Sequence, residues 1–178
     1  MLREIEFGKF SNNIAHRKLY PLFLLDSMGF LDNMAIGGSM GLVLNGLLNR
    51  VVKDIDLITF ENYYNEYTAL NDFSTSQELS SSKFCIDTDI VKCKKIEVMG
   101  VQLDLLYNSN ITNRATTDYE EVVLTGLRGM PKNHLKINLE DPRVALKYKT
   151  KYVDVDKNQN SVMKHKNDIY EIIRNLNI

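Results

Sequence analysis

Residues 54 to 60 read Asp-Ile-Asp-Leu-Ile-Thr-Phe, two carboxylates interleaved with apolar side chains. Strand side chains alternate, so Asp54 and Asp56 share one face while Ile55 and Leu57 point to the other. The apolar set must face a core, which leaves the acidic pair on the accessible side at the start of the strand. Two carboxylates this close repel each other when both are ionised, and a cation between them relieves the cost. Hard oxygen ligands suit Mg²⁺ or Mn²⁺, above all when phosphate oxygens complete the octahedron.

A third carboxylate lies on another expected strand. In Val101-Gln102-Leu103-Asp104-Leu105, apolar residues alternate with Gln102 and Asp104, which puts Asp104 on the polar face. If the two strands are neighbours, three carboxylates can hold two metals about 3.5–4 Å apart. One metal would lower the pKa of an attacking hydroxyl and the other would neutralise a triphosphate. Asp104 would then act as base or as ligand to the first metal.

Upstream, Asn33-Met34-Ala35-Ile36 is a short apolar run that ends in Gly37-Gly38-Ser39. Glycines let a backbone approach an anion closely, and a following helix presents free amides with a positive dipole end. Ser39 is expected to cap a helix over Met40 to Asn49. Arg50, four residues before Asp54, is placed to pair with the carboxylates or to reach phosphate.

The remaining pattern is α+β: a central mixed β-sheet flanked by helices, with C-terminal helices. A helix is expected over residues 11–30, with Pro21 inside it or between two pieces, and another, tyrosine-rich, over Asn62 to Asp72. Ser74 to Ser82 reads as a polar loop. Strands are expected at Lys83 to Asp87, Ile90 to Val98 and Val101 to Tyr107, then at Val122 to Leu124 and His134 to Ile137. Asp141-Pro142 starts a helix to about Val153, and Ser161 is expected to cap a last one with Ile169, Ile172, Ile173 and Leu176 on one side. One domain over 1–178 is expected, with a core of about 33–140 and a helical part of about 141–178.

Composition narrows the partners. The 178 residues carry a formal net charge of −1, which gives no general attraction for long nucleic acid. Cys85 and Cys93 are too few for a disulfide framework and read as reduced thiols, with pairing across a hairpin as the alternative. His16, His134 and His165 lack zinc-ligand spacing. No signal-peptide pattern or apolar span occurs, so a cytoplasmic location without membrane contact is expected.

The stretch from Ile36-Gly37-Gly38-Ser39 through Gly46 and Arg50 to Asp54-Ile55-Asp56-Leu57 resembles the nucleotidyltransferase superfamily typified by DNA polymerase beta. It is most similar to small bacterial members, among them antibiotic nucleotidyltransferases and toxins of abortive-infection (toxin–antitoxin) systems. The resemblance implies metal ligation by Asp54, Asp56 and Asp104, and phosphate binding by Gly37, Gly38 and Ser39. Pro142 to Lys149 and Lys164-His165-Lys166-Asn167-Asp168 are similar to the family's closing helices, where a lysine faces the site. Alignment on Pro142 points to Lys149 for that lysine, with Lys147 second. The implied activity moves an NMP from an NTP to an acceptor hydroxyl and releases pyrophosphate. The resemblance leaves the acceptor open among a small molecule, a tRNA end and a protein. The alternative is a nucleotide- or partner-binding module without turnover.

Overall fold

The computed structural model describes residues 1–59, 76–86, 89–108 and 118–177. The tyrosine-rich stretch with Tyr63, Tyr64 and Tyr67, and the Asp87-Thr88 turn, lie outside them. Eight strands make one mixed sheet: β1 (Arg3–Glu6), β2 (Met34–Ile36), β3 (Ile55–Thr59), β4 (Ser76–Ile86), β5 (Asp89–Val98), β6 (Val101–Asn108), β7 (Tyr119–Thr125) and β8 (Leu135–Glu140). Their spatial order is β1-β7-β8-β2-β3-β6-β5-β4. Helices α1 (Tyr20–Ser27), α2 (Gly38–Leu44), α3 (Pro142–Val155) and α4 (Gln159–Leu176) accompany it. This is the α+β arrangement the sequence implies.

Burial follows the alternation. Ile55, Leu57, Leu103 and Leu105 are fully buried in one continuous core, which also takes Leu22 and Leu25 of α1 and Leu42 to Leu44 of α2. β3 and β6 are parallel neighbours, and their register pairs Asp56 with Asp104. Adjacent strands lie about 4.8 Å apart, so the two carboxylates rise side by side from the face opposite that core.

Several expected boundaries move. Ser76 to Ser82 is not a loop but the first part of β4, paired antiparallel with β5. Its serines carry no apolar alternation, and backbone pairing with β5 makes the strand. That register sets Cys85 against Ile90 and Cys93 against Ser82, so the cysteines do not face each other across the hairpin. Residues 11–15 are not helical: a 3₁₀ turn over His16–Leu19 leads into α1, with Pro21 in its first turn. β7 and β8 extend beyond the expected short runs because they pair along their whole length, Tyr119 to Glu140 through Leu124 to Leu135.

The helix ends also differ. α2 begins at Gly38 with Gly37 as the capping residue, so Ser39 falls inside the first turn and caps nothing. It ends at Leu44 rather than Asn49. Gly46 takes a φ of 73°, and the amides of Gly46 and Leu47 bond back to Val43 and Leu42, a Schellman termination. Asp141 caps α3 by accepting the Arg143 amide at 2.7 Å. α4 is capped by Asn158, whose side chain accepts from Asn160 and Ser161, and not by Ser161 itself. Ile172 is buried, whereas Ile173 faces solvent.

Candidate active site

The glycine turn is tied to the acidic strand at two points. The Gly37 amide donates to the Asp56 carbonyl at 2.9 Å. Gly38 has a φ of 52°, and a Cβ there would sit 1.7 Å from Asp56 Oδ2. The Asp56 carboxylate thus rests directly on the Gly38 backbone, an approach that only a glycine permits. Gly41, one turn on, packs as closely against the Ile36 carbonyl: its Cβ would meet that oxygen at 2.8 Å.

Asp54 and Asp56 are half-buried and Asp104 is buried. Burial first, then the neighbouring charges of Asp54 and Asp104, push the Asp56 carboxyl up to about 6. Lys149 and Lys95 pull the other way without cancelling the effect. A carboxylate raised by burial and by two neighbouring acids suits a hard divalent cation in chemistry. The positions of these acids are less complete: among the described residues no three acidic, histidine or cysteine side chains already converge as a metal cluster. Asp104 is instead engaged within the sheet. Its Oδ2 accepts from Lys95 Nζ, and its Oδ1 accepts from Gln102 Nε2 at 2.8 Å.

A basic cluster closes the opposite side. Arg50 Nη2 donates to Ser39 Oγ and lies 3.1 Å from Asp168 Oδ2. Lys149 Nζ reaches the same Asp168 oxygen at 2.9 Å. One carboxylate therefore answers two cations, and the buried Arg50 Nε has no partner among the described residues. Arg50 pairs with Asp168, a residue 118 positions away, and not with Asp54. Of the two lysines weighed on α3, Lys149 is 7% exposed and turned inward, while Lys147 lies at the surface.

The start of the chain holds the loop that delivers Asp54. Lys18, itself buried, donates to the Lys53 carbonyl. Asn13 accepts the Val52 amide at 2.8 Å and donates to the Arg50 carbonyl at 3.2 Å. Burial lowers the Lys18 pKa, with Arg17 adding to the effect and Asp54 opposing it.

Sequence reasoning passes over three residues near this site and the pairing of a fourth, Asp168. Lys95 gains meaning only from the register that sets it opposite Asp104. Glu140 is buried beside Gly37, its Oε2 2.8 Å from where a Cβ would be, because β8 runs parallel to β2 with Leu139 against Ile36. Asp168 stands in the closing-helix motif, but nothing local marks it as the partner of Arg50. Tyr152, one turn beyond Lys149, stacks on His165 with ring centroids 5.8 Å apart. Burial and then the charge of Asp56 push its hydroxyl pKa up, which puts it within the field of the acids.

By sequence, no family model and no curated protein matches the chain. By structure it is similar to an antigenic nucleotidyltransferase-like protein from Paracoccidioides brasiliensis, at 17% identity and a TM-score of 0.51 over 89% of this chain and 76% of that one. It is also similar to ANT(2″)-Ia, solved in complex with adenylyl-2″-tobramycin, at 15% identity and a TM-score of 0.53 over 87% and 84%. At such identities the likeness is one of fold, and the fold carried by this chain is that of the nucleotidyltransferases.

Proposed function

We propose that the protein transfers a nucleoside monophosphate from an NTP to an acceptor hydroxyl and releases pyrophosphate. The observation that carries this reading is the pairing of Asp56 with Asp104 across parallel strands, directly above a glycine turn flanked by two cations. Asp54, Asp56 and Asp104 would hold Mg²⁺ or Mn²⁺, which supplies charge neutralisation and alignment for phosphoryl transfer. Gly37 and Gly38 let the Asp56 carboxylate lie against the turn, and the backbone amides at the start of α2, with the Ser39 hydroxyl beside them, would meet the phosphate oxygens. Arg50 and Lys149 share one counter-ion, so the pair keeps positive charge to set against the phosphates as pyrophosphate departs.

Pyrophosphate release is the direct test, with each NTP, Mg²⁺ and a panel of acceptors. The adenylyl-2″-tobramycin bound by ANT(2″)-Ia puts ATP and hydroxylated small molecules first in that panel. Labelling of a host extract with each α-labelled NTP extends the search to RNA and protein. Activity is expected from the wild type and not from Asp54→Asn or Asp56→Asn, both folded by circular dichroism. Wild-type turnover in either variant would remove the metal role. A binding module without turnover is the second reading, favoured by the engagement of both Asp104 oxygens within the sheet. Calorimetric NTP binding with no pyrophosphate from any acceptor would select it.

A further inference from the structure

The three acids are not equivalent. Among the described residues, Asp54 and Asp56 accept no side-chain hydrogen bond, whereas both oxygens of Asp104 are taken. The donor that matters is Lys95. It sits on β5 directly opposite Asp104 in antiparallel register, on the face that Asp56 shares. Its side chain is 37% exposed against 9% for that of Asp104, so the ammonium covers the carboxylate from the solvent side. A lysine suits a contact that must be broken. Its head is a compact, strongly hydrated charge on a flexible stem, and it returns to water without losing a bidentate fit.

We propose that Lys95 is a displaceable counter-ion that makes the acidic site load in two steps. Asp54 and Asp56 take a first divalent cation with Lys95 in place. Asp104 joins only when a second cation, brought with a nucleotide or present in excess, displaces the ammonium into solvent. With Lys95 in place, the second position carries a cation of the protein's own, so two carboxylates and not three are open to an incoming ion. This inference rests on the transferase reading for its purpose, but not for its measurement.

Mn²⁺ titration followed by electron paramagnetic resonance, on the nucleotide-free full chain, reads the exchange directly. Lys95→Met is expected to tighten a weaker Mn²⁺ site by roughly tenfold, the weight of one charge-assisted hydrogen bond. The tighter site should change much less. In an Asp104→Asn background the same Lys95→Met change should gain about twofold or less, the share left to long-range charge alone. Unaltered or weaker Mn²⁺ binding in Lys95→Met overturns the proposal, as does a full gain that persists without Asp104. The two readings fail separately. A Lys95-dependent Mn²⁺ site with no pyrophosphate release leaves the exchange standing and removes the transferase, while turnover without the Mn²⁺ gain does the reverse.

Discussion

Asp56→Asn should make the metal-free protein more stable, although it removes a residue central to the proposed reaction. In the unfolded chain Asp56 titrates at the ordinary value of 3.8, and in the folded protein at about 6. The folded state therefore holds the extra proton between these values, so stability falls as pH rises from about 4 to about 6 and stays lower above. Two units correspond to roughly 3 kcal/mol at about 1.36 kcal/mol each, and partial exposure reduces this to roughly 2 kcal/mol. For a chain of this size that is a rise in Tm of about 4–8 °C. Paired thermal melts of wild type and variant in chelator, at pH 7.5 and pH 4, measure it. The variant should gain at pH 7.5 and gain nothing at pH 4, and added Mg²⁺ should narrow the gap by stabilising the wild type alone. A neutral or destabilising substitution at pH 7.5, or an equal gain at both pH values, refutes the account of clustered, uncompensated charge.

The basic cluster predicts an asymmetry between its members. Asp168→Ala strands two cations, one of them buried, and should cost about 3 kcal/mol or more in urea denaturation. Lys149→Met leaves Asp168 paired with Arg50 and should cost about 1 kcal/mol, so the reverse order would contradict the shared-carboxylate geometry. Two glycines with positive φ separate strain from site chemistry. Gly38→Ala drives a methyl into the Asp56 carboxylate and should abolish pyrophosphate release. Gly46→Ala meets nothing within 4 Å and should cost only about 1 kcal/mol of stability, with turnover retained.

Local pattern and long-range pairing divide what the sequence discloses. The face of β3 is legible because Asp54, Ile55, Asp56 and Leu57 alternate over a short run, and strand geometry leaves no other arrangement. The start of α3 is legible from Asp141-Pro142, a cap and a preset φ side by side. The start of α2 is not, because Gly37 caps without a side chain and Ser39 offers a more familiar signal two residues late. β4 is hidden for a related reason: its serines become a strand only through a partner ten or more residues on. The same holds within the site. Lys95 and Asp168 are ordinary surface charges until register and a helix packing across 118 residues give them Asp104 and Arg50.

Helix α2 is buried from Ser39 to Leu44 and pressed through Gly41 against the Ile36 carbonyl. It has no room to slide or rotate, so the turn at its head is a fixed fixture of the molecule. For the proposed transferase, accommodation of differently shaped acceptors would then fall to elements outside this turn, among them β5 around Lys95 and the surface of α3 and α4 around Tyr152 and His165. Mutational tolerance should divide accordingly. On that reading, substitutions along β5 and the closing helices should retune which molecule is accepted, whereas those between Ile36 and Leu44 should either keep the turn or break it.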